Sequence, residues 1–366
     1  MKKRDVVLLV AVCTLLSLMV WQLLRIGGQG ESLYRAPTDR VGMILNGSAE
    51  DRGFHQSLYE AAFAVCEEKG LAFVSRDGVA AGEPFRDIAE EMIGEGCGLI
   101  LCDSEDFDED LTALSQAHPG VCFLNAMGTV HAHNLASCMR RTYQARYLTG
   151  IVAGMQTETG EIGYVVSTLS LETIRQLNAF TIGVRRANPT ARVFVRCTGD
   201  RYDEDAAARA ARELLEAHEI DVLTHHATPV SALREADARG VWTIGYSLHG
   251  ENPFPDTWLT GYTFDWKPFY TKRIEEWQEH RFVGQQYRGG IRNGLVSLSP
   301  LSELVRDGTQ QAVDDALSRL LDGSYDVFFG PITDSYGTLR IREGETLTDE
   351  RILHGMFWYV EGVVLE

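Results

Sequence analysis

The sequence contains no GxxxxGK[ST] segment. Its densest glycine cluster, Gly94 to Gly98, comes before a strand-like run instead of joining a strand to a helix, so phosphate cradling and nucleotide hydrolysis are excluded. Basic residues are scarce: 34 Lys and Arg face 52 Asp and Glu, giving a formal net charge of −18. A body this acidic repels phosphate backbones and anionic head groups, which argues against a nucleic-acid partner. None of the 7 cysteines falls in a CxxC pair. Cys66, Cys102 and Cys122 lie in apolar stretches and read as buried free thiols. Neither His131 with His133 nor the adjacent His225 and His226 has metal-ligand spacing, so no metal or cofactor is expected. The acidic run Asp103 to Asp110 lacks the glycine turn of a calcium loop. The nearest hydrolase signal, Gly245-Tyr-Ser-Leu-His249, carries His where a nucleophile elbow needs glycine, and Pro253 and Pro255 stand where its helix should begin. The residues point to binding and not to catalysis.

One long uncharged run is present, Val6 to Leu24, behind the cationic start Lys2-Lys-Arg4. At ~1.5 Å per residue it spans roughly 28 Å, close to a hydrocarbon core. The Lys/Arg cluster keeps that end in the cytoplasm and places everything after it outside. Residues 1–30 are therefore expected to anchor the chain in the cell membrane with an extracytoplasmic body. Lipidation at Cys13 or ordinary cleavage of the segment is the alternative, and for lipidation Val12 stands where a small residue would be needed.

Apolar residues make up 45% and charged residues 23%, without a low-complexity tract, so the rest is globular. From residue 41, short β-type runs alternate with helical stretches at 41–46, 54–69, 71–75, 84–93, 98–103, 109–117 and 121–125. After a strand-like 135–139 and a helix near 143–157 the rhythm restarts and continues to 246. This predicts two doubly wound parallel-sheet lobes in series. Beyond 246 come extended segments and two helices, 267–280 and 308–321, which suggests that the last third returns between the halves to form a multi-crossing hinge. The first lobe is expected from 38–157 with about 264–292, the second from 158–263 with about 293–345, and 346–366 as a tail near the hinge.

Ligands in open α/β sheets sit at the carboxyl ends of strands. The polar residues there include Asn46, Asp103, Thr168, His225 with His226, Tyr246 and Ser247. Aromatic rings at strand ends or crossings, Phe54 and Trp266 among them, offer flat apolar surfaces. Each residue alone is explained by capping or core packing, and together they outline a cleft.

The stretch VGMILNGSAEDRGFHQSLYEA resembles the first strand and loop of the basic membrane protein family, solute-binding components of ABC transporters that include purine nucleoside receptors. YQARYLTGIVAG, LNAFTIGVRRANP, GVWTIGY, DWKPFY, GGIRNGLVSLSP and FFGPITDSYG extend the resemblance over about residues 40–365. It implies an α/β type I periplasmic-binding-protein fold that closes on a small, flat, purine-like ligand without catalysis, with an ABC permease and ATPase as partners. Phe54 matches the ring that stacks on the base, Asn46 the polar group after the first strand, Trp266 the crossover aromatic and His225 a second-lobe histidine. Ser247 and His249 stand where nucleoside receptors carry ribose-gripping carboxylates, which favours a nucleobase over a nucleoside. Membrane-tethered relatives act in regulation, so a ligand sensor of the same fold is the alternative.

Overall fold

A computed structural model describes residues 39–51, 53–200, 203–226, 230–246 and 252–366. The expected anchor at 1–30 lies outside them. Among the described residues no helix is long and apolar enough to cross a membrane.

The first half alternates β1 (Arg40–Ile44), α1 (Phe54–Glu68), β2 (Ala72–Arg76), α2 (Glu83–Gly94), β3 (Leu99–Cys102), α3 (Asp108–Ala117), β4 (Cys122–Asn125) and β5 (Leu135–Arg140). After α4 (Thr142–Gln156) the pattern repeats as β6 (Glu161–Val166), α5 (Leu171–Ala187), β7 (Arg192–Cys197), α6 (Glu204–Ala217), β8 (Val222–His226), α7 (Ser231–Asp237) and β9 (Trp242–Ile244). The apolar runs of the inner strands β1, β3, β4, β6 and β8 are buried, as expected of parallel strands covered on both faces, whereas the edge strand β2 is only half-buried. The helices carry local start signals. Asp203 caps α6 by accepting the Ala206 amide proton at 2.8 Å, and Ala206, Ala210 and Leu214 form its buried stripe.

The remaining strands are β10 (Trp258–Thr260), β11 (Tyr262–Phe264), β12 (Gln286–Gly289), β13 (Val296–Leu298), β14 (Ile332–Thr333), β15 (Leu339–Ile341) and β16 (Val363–Leu365), with α8 (Lys267–Gln278), α9 (Thr309–Asp322) and α10 (Asp349–His354) between them. Two six-stranded sheets result, in the orders β12-β5-β4-β3-β1-β2 and β10-β9-β8-β6-β7-β16. The chain passes between them after β5, after β10 and after β12. At the crossings β11 and β13 pair antiparallel, Tyr262 opposite Leu298. The run 258–266 reads as one strand in the sequence. The structure divides it at Gly261 into β10, which completes the second sheet, and β11, which belongs to the crossing.

One apolar core runs from one sheet to the other through α4 and α5, and each sheet has a separate cluster on its other face. α4 and α5 touch backbone to backbone: a Cβ on Gly150 would lie 2.1 Å from the Phe180 carbonyl oxygen, and one on Gly183 2.0 Å from that of Tyr147. The chain end departs from a simple tail. α10 lies against α5, and the last residues continue into β16, which pairs in parallel with β7 at the sheet edge.

Candidate ligand-binding cleft

A cleft of about 300 Å³ opens where the carboxyl ends of the two sheets face each other. The first sheet contributes Asn46 after β1, Phe54 and His55 at the start of α1, Asp103 to Asp106 after β3, Met127 after β4 and Arg140 at the end of β5. Across from them stand Ser167 and Thr168 after β6, Glu172 in the first turn of α5, His226 at the end of β8 and Tyr246 after β9.

Asp103 is 3% exposed. Its Oδ1 accepts the Asn46 backbone N–H at 2.8 Å, whereas Oδ2 has no hydrogen-bond partner. Burial pushes its carboxyl up to about 6, an effect opposed by His55 and by the Asn46 amide. Asn46 is itself fixed, its Nδ2 donating to the Val79 carbonyl at 3.1 Å. Asp51 accepts backbone N–H groups from Gly53, His55 and Gln56 at 2.8–3.1 Å, so it charges the N-terminus of α1 favourably. Burial would raise the Asp51 carboxyl, but the His55 ring and these amides together hold it below its ordinary value.

The wall between the lobes is aromatic. Phe54 meets Phe264 and Trp266 edge to face at 5.6 and 5.9 Å, and Trp266 stacks on Phe264 at 5.2 Å. Phe264 leads through Tyr262 to Tyr246, and Tyr246 stacks on His226 at 4.3 Å. Residues 262 and 264 share one face of β11 because strand side chains alternate, so a single hinge strand links the rings of both lobes. Behind Tyr246 lies Arg146, fully buried, its guanidinium 5.2 Å from the rings of Tyr164, Tyr246 and Tyr262. It donates to Thr224 Oγ1 at 3.0 Å and to the His225 carbonyl at 2.5 Å. At the cleft itself Arg140 lies 3.3 Å from Glu172 of the opposite lobe and 5.7 Å from the centre of the Phe54 ring.

Residues 38–323 match the model of the Bmp family, described as ABC transporter substrate-binding protein, PnrA-like. The chain belongs to this family. A purine-binding protein of Brucella abortus is 27% identical over 88% of this chain and 92% of its own. A protein of Haloferax volcanii, described as a candidate ABC transporter glucose-binding protein, is 29% identical over 86% of this chain and 77% of its own. Among solved structures, an ABC transporter solute-binding protein of Conexibacter woesei superposes with a TM-score of 0.68 at 23% identity, covering 78% of this chain and 97% of its own. A transcriptional activator of the comK gene from Bacillus halodurans gives 0.69 at 22%, covering 78% and 99%. The two-lobed fold is thus the type I periplasmic-binding-protein fold.

In this Bmp-family chain the structure brings five of the residues named from sequence into the cleft lining: Asn46, Phe54, Asp103, Thr168 and Tyr246. Trp266 does not line the cleft. It is 1% exposed and buttresses Phe54 from behind. His225 is fully buried outside the lining, and its strand neighbour His226 takes the place in the cleft. Ser247, like His249, lies outside the described residues. His55, Arg140 and Glu172 were not singled out by the sequence. His55 follows Phe54 without any motif of its own, and Arg140 and Glu172 look like ordinary strand-end and helix-start charges until the lobes face each other. Among the described residues, Cys66, Cys97, Cys102 and Cys138 are buried free thiols, Cys122 is buried as well, and Cys197 is exposed. Burial raises the Cys66 thiol to about 12.

Proposed function

We propose that this protein is an extracytoplasmic solute-binding component of an ABC importer that closes its lobes on a purine-like heterocycle and delivers it to a permease and its ATPase. One observation carries this reading: a buried carboxylate, Asp103, whose Oδ2 has no hydrogen-bond partner, stands in the same cleft as an aromatic ring set, Phe54 backed by Phe264 and Trp266. A flat ring with an N–H edge satisfies both at once, stacking on the aromatic wall and donating to Oδ2. The purine-binding relative from Brucella abortus supports the ligand class.

In this reading Phe54 contacts the ring, Asp103 and Asn46 fix its polar edge, and Thr168, His226 and Tyr246 cover it from the second lobe. Trp266 and His225 act through the residues they support, Phe54 and Tyr246. The departures at Ser247 and His249 favour a base over its nucleoside, since a ribose needs charge-assisted partners there. Residues 1–30 tether the body to the outer side of the membrane.

A thermal-shift screen of the detergent-solubilised full chain against purine bases, their nucleosides, flavin, thiamine and glucose tests this function. A ligand at 100 times its Kd should stabilise by about 2.7 kcal/mol. Stabilisation by a purine base, stronger than by its nucleoside, is the expected result. A shift with glucose and none with any purine would overturn it.

A further inference from the structure

His55 occupies the cleft beside Asp103, and its ring is held from two sides. Nδ1 lies 2.6 Å from Asp51 Oδ2. Gly47 packs flat against the ring, for a Cβ at that position would come 2.4 Å from Cε1. A carboxylate accepts hydrogen bonds and has no proton to give when ionised, so the Nδ1 proton belongs to His55 and points at Asp51. In a neutral ring this leaves a lone pair on Nε2.

That nitrogen is 3.4 Å from Asp103 Oδ2, the buried oxygen without a hydrogen-bond partner. A lone pair beside a carboxylate oxygen, out of water, is repulsive and leaves both acceptors unsatisfied. A proton on either group removes the conflict. The rise of the Asp103 carboxyl to about 6 through burial is in the direction that such a proton requires. At 3.4 Å the two groups do not satisfy each other fully, and both remain able to engage a ligand.

Resting on the purine-like reading of the cleft, we propose that His55 Nε2 and Asp103 Oδ2 hold one proton between them and together read an edge of the ligand that carries a ring N–H next to an unprotonated ring nitrogen. His55 donates to the ligand nitrogen and Asp103 accepts the ligand N–H, which makes His55 a specificity-determining residue. A ligand edge with two acceptors, or an anionic one, meets the Asp103 oxygen unfavourably. The surrounding charges do not replace the pair. Arg140 is engaged by Glu172, Glu105 and Asp106 are exposed, His226 stands in the other lobe, and the Tyr270 phenol of α8 is held protonated by burial with Asp103 nearby. A second proton on the pair at acid pH removes the acceptor, and loss of the shared proton at alkaline pH removes the donor. Affinity therefore peaks between these limits.

The test is calorimetric titration of adenine into the full chain in detergent across a pH series, for wild type, His55→Asn and Asp103→Asn. The expected wild-type profile is bell-shaped. His55→Asn should lose at least tenfold in affinity at the optimum and flatten the alkaline limb, and Asp103→Asn should flatten the acid limb. Equal affinity and an unchanged profile in His55→Asn would overturn the proposal while leaving the purine reading intact. Should neither adenine nor any other purine base bind folded wild type, the purine reading fails, and the shared proton is judged on the ligand-free protein by ¹⁵N shifts of the His55 ring. A change in those shifts on Asp103→Asn supports the shared proton, and identical shifts refute it.

Discussion

Asp103 shows how a binding residue is kept at a cost to the fold. Its folded-state value of about 6 lies above the ordinary 3.8, so the folded protein holds the proton more tightly than the unfolded chain. The ionised side chain therefore opposes folding above about pH 6, and the penalty disappears as pH falls below 3.8. Asp103→Asn should accordingly stabilise the ligand-free protein at neutral pH, on the order of 2–3 kcal/mol, with an advantage that shrinks in acid. Denaturant unfolding at pH 7 and pH 4 checks this, and a less stable variant at pH 7 would contradict it. Asp103 and Phe54 were legible because a carboxylate after a strand and a ring before a helix carry their meaning in local position. Of the strand-end pair His225 and His226 the sequence favoured the wrong member for ligand contact, since alternation along β8 decides which of two adjacent histidines meets the cleft and the sequence does not mark where the strand ends. His55 was illegible for another reason, as its role depends on Asp51 and Gly47 folding the loop back on the ring.

Among the elements, β11 and the α4–α5 pair connect the cleft to the rest of the molecule. Phe264 stands between Phe54 and Tyr262, so Phe264→Ala should weaken purine binding several-fold without removing the residues expected to contact the ligand. Loss of affinity in calorimetry with an unchanged unfolding transition would separate this effect from general damage. Gly150→Ala should destabilise the protein by roughly 2–3 kcal/mol, because the added methyl meets a carbonyl oxygen on α5 and the helices must separate. Thermal unfolding measures that loss, and an unchanged midpoint would show that the pair yields easily. The ranges of both helices follow from apolar spacing in the sequence. Their burial on nearly every side does not, because it arises only when two lobes enclose the same pair.

For the whole molecule, the segment after residue 323 lies beyond the family match and ties the two halves together. Asp349 accepts from Arg141 at 2.9 Å and lies 2.9 Å from Arg288 of β12 on the first-sheet side. Nearby, Asn178 of α5 donates to the Trp358 carbonyl and accepts the Val360 N–H, and β16 joins the second sheet. Asp349→Asn should loosen this link and raise the open population, seen as a larger radius of gyration in ligand-free scattering that added ligand reverses. An unchanged radius would show that the hinge strands alone set the opening. The two doubly wound lobes were legible in the sequence because each strand and helix there carries its own period. The C-terminal brace was not, because strands of three residues and a helix of six are too short to show one and take their form from the surfaces they join.

The most direct test is calorimetric titration of a purine base into the detergent-solubilised wild-type chain and into Phe54→Ala. Saturable one-site binding in wild type, weakened by an order of magnitude or more in the variant, is what stacking worth ~1–3 kcal/mol per base predicts. Equal affinity in both proteins, or binding of glucose with no heat from any purine, would contradict a purine-like ligand held against Phe54 between the lobes.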